Sequence, residues 1–75
     1  MRYFKWAGKD NFNNELVEYY KVESESEWYF YRWSDHTWVI RTDPTYGLDP
    51  WWKFYKINQG RITELTEAEA FLEIL

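Results

Sequence analysis

The sequence predicts an α+β fold: an antiparallel β-meander of four to six strands with one short C-terminal α-helix packed on one face. Three observations carry that expectation. Aromatic residues make up 24% of the 75-residue chain (6 Trp, 7 Tyr, 5 Phe) and come in short runs such as Trp28-Tyr29-Phe30-Tyr31 and Trp51-Trp52, which suit a pleated surface. Turn-forming residues punctuate those runs at Gly8 to Asn14, Ser34 to His36 and Asn58 to Gly60. Near the end, Thr66-Glu67-Ala68-Glu69 has the form of a capping box.

The elements follow in order. Arg2 to Ala7 alternates weakly and gives way to a loop over Gly8 to Asn14, after which Leu16 to Val22 reads as a strand. Glu23-Ser24-Glu25-Ser26-Glu27 links it to an aromatic strand over Trp28 to Trp33, so the two should form a hairpin. Thr37 to Arg41, with two β-branched residues beside Trp38, supplies a third strand. Thr42 to Pro50 holds both prolines, Asp43-Pro44 and Asp49-Pro50, and must be a loop. Trp51 to Ile57 reads as a further aromatic strand, with a helical turn as the alternative, because Asp49 could cap a helix that has Pro50 in its first position. Arg61 to Glu64 is a short last strand pairing back across the Asn58-Gln59-Gly60 turn. A helix then starts at Thr66, with Leu65 stapled on Ala70, and Ala68, Phe71, Leu72 and Leu75 on its apolar face.

A chain of this length forms a single domain, residues 1–75, and buries only roughly 60% of its unfolded surface, so self-association is a natural supplement to its core. The absence of cysteine excludes disulfides and thiolate chemistry. No uncharged stretch approaches the ~20 residues of a membrane span, and Met1-Arg2-Tyr3-Phe4-Lys5 lacks the apolar core of a signal peptide. These features predict a cytoplasmic protein without membrane contact. The formal charge of −4 arises from the part of the chain after Val22, and its sign disfavours direct nucleic-acid binding while favouring a basic protein surface.

Alternation puts Trp28 and Phe30 on one face of their strand and Tyr29, Tyr31 and Trp33 on the other. A single helix covers one face, so the second should meet a partner, either another protein or a second copy of the chain. Two further surfaces are candidates for contact. Glu23, Glu25 and Glu27 would share one side of an extended chain as a negative stripe able to meet arginines or imitate phosphates. Trp51 and Trp52, beside Tyr46, could form an aromatic platform for a sugar ring or a peptide, although adjacent tryptophans can equally divide between core and interface.

Catalytic chemistry has little to draw on. His36 is the single histidine, set between Asp35 and Thr37 in a turn. No phosphate-binding glycine loop, HExxH or calcium loop occurs, and no cofactor is expected. The sequence therefore points to a non-catalytic acidic protein acting by protein–protein interaction, for example an inhibitor that offers carboxylates to a nucleic-acid-handling enzyme. A homodimeric assembly subunit and a carbohydrate- or peptide-binding module are the alternatives.

Overall fold

The computed structural model of the chain describes residues 1–41 and 50–74. Five strands, β1 (Arg2–Lys9), β2 (Glu15–Ser24), β3 (Glu27–Arg32), β4 (Thr37–Ile40) and β5 (Ile62–Leu65), form one antiparallel sheet in the order β4-β3-β2-β1-β5. Helix α1 (Trp51–Ile57) precedes β5, and α2 (Glu67–Ile74) follows it. The α+β class, the strand count and the C-terminal helix are as the sequence predicts. The loop expected over residues 42–49, with Tyr46, lies outside the described residues.

The first four strands form the meander. β1 runs further than its weak alternation suggests, to Lys9, which pairs with Glu15. Gly8 permits this because the Trp6 ring lies over it: a Cβ there would stand 2.6 Å from a ring carbon. The intervening loop is closed by Asp10, whose Oδ1 accepts the N–H groups of Phe12 and Asn14 at 2.9 Å. Asn13 takes a positive φ of 64°, a conformation asparagine tolerates. In the next hairpin both strands extend into the Glu/Ser segment, with Ser24 opposite Glu27 and a bulge between Val22 and Ser24.

Trp51–Ile57 is a helix, which corrects the strand reading; the helical alternative holds, with Pro50 at the cap instead of in the first helical position and Asp49 outside the described residues. The physical reason is the grouping of its rings. A strand would alternate them between faces, whereas helical spacing brings Trp51, Phe54 and Tyr55 to one side. There they meet Phe4, Tyr20 and Trp28, with centroid distances of 4.8 Å for Phe4–Trp51, 5.1 Å for Trp28–Trp51 and 5.0 Å for both Trp28–Phe54 and Tyr20–Phe54. Phe4, Tyr20, Trp28 and Trp51 form the main core with Val22 and Ile62, and Phe54 packs against it. Because its predecessor is a helix, β5 does not pair back across the turn; it pairs with β1, Trp6 facing Ile62. The Trp6 indole N–H donates to Asn58 Oδ1 at 3.0 Å, fastening β1 to the turn after α1.

The opposite face carries its own ring cluster. Tyr3, Tyr19 and Tyr31 are buried there, and Tyr31 packs edge-on against Trp33 (5.0 Å) and Trp38 (5.2 Å). The sheet curls enough for Tyr3 on β1 to approach Trp38 on β4 at 6.1 Å. Helix α2 covers the β1/β5 side of this face, where Phe71 meets Tyr3 at 5.8 Å and Glu73 pairs with Lys5 at 2.9 Å. Each face of the sheet thus has its own helix, and the expectation of one helix with a bare second face is corrected. Among the described residues no helix is long and apolar enough to cross a membrane.

The capping box forms as expected: Thr66 N–H donates to Glu69 Oε1 at 3.0 Å and Glu69 N–H to Thr66 Oγ1 at 3.1 Å. The Thr66 N–H, and after it the Thr66 hydroxyl, also hold the Glu69 carboxyl below the usual carboxylate range. The apolar face of α2 differs from the expected one. Ala70 is buried and Ile74 half-buried, while Ala68 and Leu72 are exposed; of the other expected face residues Phe71 packs on Tyr3, and Leu75 lies outside the described residues. Thr66→Ala should cost about 0.5–2 kcal/mol, read as a lower denaturation midpoint at unchanged slope.

Candidate functional site

The tip of the β2–β3 hairpin and the start of α1 come together through one residue, Glu25. Helix α1 begins after Pro50, which provides no side-chain acceptor for the first N–H groups, and such groups need a partner. Glu25 serves both: its backbone carbonyl accepts Trp51 N–H at 2.9 Å and its Oε2 accepts Trp52 N–H at 2.7 Å. A carboxylate at this end also faces the positive pole of the helix dipole. Trp51 then turns into the core at 3% exposure, while Trp52 stands outward at 56%. The adjacent tryptophans divide between core and surface, and Trp51 is not available as a platform.

The three glutamates do not form a single stripe. The chain reverses at Glu25 and Ser26, so the alternation that would align them is broken. Glu27 accepts the Tyr29 hydroxyl at 2.6 Å, and that bond, followed by partial burial and the charges of Glu27 and Glu23, raises the Tyr29 pKa above the usual phenol range. Glu23 and Glu27 therefore flank Tyr29 on the side of the hairpin away from α1, and Glu25 faces Trp52. The result is a tip with one carboxylate held on the backbone of a residue whose indole is exposed and another on the hydroxyl of a half-buried phenol. Lys21 reaches back over Tyr29 and Trp38, 4.8 and 5.2 Å from their centroids.

Tyr31 and Trp33, the other expected contact residues, belong to the second ring cluster. Tyr31 is buried and its hydroxyl lies 3.0 Å from His36 Nδ1, whereas Trp33 is 44% exposed and closes the cluster against Tyr19. Asp35 does not orient His36. Its carboxylate accepts Arg32 Nε at 2.9 Å and Thr37 Oγ1 at 2.7 Å, and these bonds hold its pKa well below the usual range. Among the described residues no group of three His, Cys, Asp or Glu is placed to hold a metal ion.

Sequence reasoning misses two surface features. Phe12, 84% exposed on the tightly bonded β1–β2 loop, carries a signal, an apolar residue inside an Asn-rich turn. The capping role of Glu25 carries none, since it joins positions that lie far apart in the chain and meet only when α1 docks. Compared with protein families, curated proteins and solved structures, the chain matches none, so the functional reading rests on the geometry of the tip.

Proposed function

We propose that this chain is a non-catalytic recognition protein that engages a basic protein surface through the β2–β3 tip and the start of α1. The observation that supports the reading is the Glu25–Trp52 junction, where a carboxylate is fixed on the backbone N–H of a residue whose indole is exposed. Aromatic anchors rimmed by polar groups are the usual energetic centres of interfaces. Glu23 and Glu27 extend the negative field to the far side of the hairpin, where a surface built to hold nucleic-acid phosphate would find matching charge. An inhibitor of a nucleic-acid-handling enzyme fits this description, and the cysteine-free composition suits a cytoplasmic setting.

The test uses the chain immobilised against extract of its host, with Trp52→Ala as the paired control, followed by association kinetics on any protein that the control loses. Glu25 is kept, because its removal would also uncap α1. Glu23→Gln with Glu27→Gln should slow association at low salt, and wild-type association should slow as added salt shortens screening to about 8 Å. A captured protein that binds Trp52→Ala equally well, or whose association ignores both salt and the two glutamates, would count against the tip as the binding surface.

A further inference from the structure

On the face of the sheet that carries α2, a groove of about 540 Å³ runs between that helix and the β1/β5 edge. Its two walls have opposite charge. Lys5 and Arg61 stand on the sheet wall, Glu69 and Glu73 one helical turn apart on the helix wall beside Leu72, and Ala7 and Leu65 supply apolar surface on the sheet side. Lys5 and Glu73 already pair across it at 2.9 Å. The Arg61 side chain makes no ion pair among the described residues, and Leu72, on the lip, is 79% exposed.

We propose that this groove is the contact surface of a symmetric dimer, in which Leu72 of each copy enters the groove of the other and Arg61 of each meets Glu69 of the other. The argument is one of self-complementarity. A two-fold axis lying along the groove places the sheet wall of one copy opposite the helix wall of its mate, so cations meet carboxylates twice. A foreign partner would have to present the same pair of opposed walls; a second copy presents them by symmetry. An apolar knob beside an apolar hole meets the same condition, and a chain this short gains needed burial from the contact. The proposal is independent of the acidic tip, which such a dimer need not cover.

Light scattering or sedimentation on the intact chain should report about twice the 9.4 kDa chain mass. Leu72→Asp and Arg61→Glu, both at exposed positions, should each raise the dimer Kd about tenfold or more while leaving the circular dichroism spectrum unchanged. Glu69→Arg should do the same, and mixing it with Arg61→Glu should restore a dimer of one chain of each kind, because every repelled pair then becomes complementary. Since Glu69→Arg also removes a cap from α2, the decisive variants are the other two. A wild-type monomer at high micromolar concentration overturns the proposal, as does a dimer that tolerates both Leu72→Asp and Arg61→Glu.

Discussion

Trp28→Ala should remove about 3–5 kcal/mol of folding free energy, the largest effect expected of any single truncation in this chain. Trp28 is 2% exposed and its ring lies 5.9, 5.1 and 5.0 Å from those of Tyr20, Trp51 and Phe54. It therefore joins β2, β3 and α1 at one point. Cores relax only partially around the cavity that a lost indole leaves. A core in a chain of this length supplies no more than roughly 3–5 kcal/mol of net stability, so the variant should be largely unfolded without denaturant. Trp28→Phe, which keeps a ring in place, should retain a cooperative transition at a lower midpoint. Urea titration followed by circular dichroism checks both, and an unchanged midpoint for Trp28→Ala would place the core elsewhere.

Alkaline pH should unfold the protein through its buried tyrosines. Burial is the main cause that pushes the Tyr20 hydroxyl well above the usual phenol range, and its hydrogen bond to the Glu18 carboxylate adds to the shift. Burial also raises Tyr3 and Tyr19. In the unfolded chain these groups ionise near pH 10. Below that pH both states hold the proton and the native contacts keep their full effect. Above it the unfolded chain loses protons that the folded chain retains, so stability falls as pH rises from about 10 toward the folded pKa. Tyr20 alone should contribute a loss of about 1.4 kcal/mol per pH unit in that window. Urea midpoints at neutral pH and above pH 10 measure the fall. Tyr20→Phe, which loses the Glu18 bond but cannot ionise, should show a shallower pH dependence, and an equal slope in both proteins would assign the fall to other groups.

The sequence by itself determined the α+β class, the order of β2, β3 and β4, and the start of α2. Each rests on local physics: β-branched and aromatic runs favour the pleat, Asn, Asp and Ser favour the intervening turns, and Thr66 and Glu69 cap a helix that begins beside them. What it left open was the fate of Trp51–Ile57, because a run with bulky residues at most positions satisfies the period of a strand and the period of a helix alike. Tertiary structure decided it. Phe4, Tyr20 and Trp28 offer one continuous patch, and only helical spacing presents Trp51, Phe54 and Tyr55 to that patch together. From that choice the rest follows: β5 must pair with β1, the second face of the sheet is left to α2 and its own rings, and Trp52 alone of the pair turns outward. The candidate site was legible in its parts, the acidic Glu23–Glu27 segment and an exposed tryptophan, and illegible in its assembly. Glu25 reaches Trp52 N–H across 27 positions, and a contact between distant positions leaves no periodic trace along the chain.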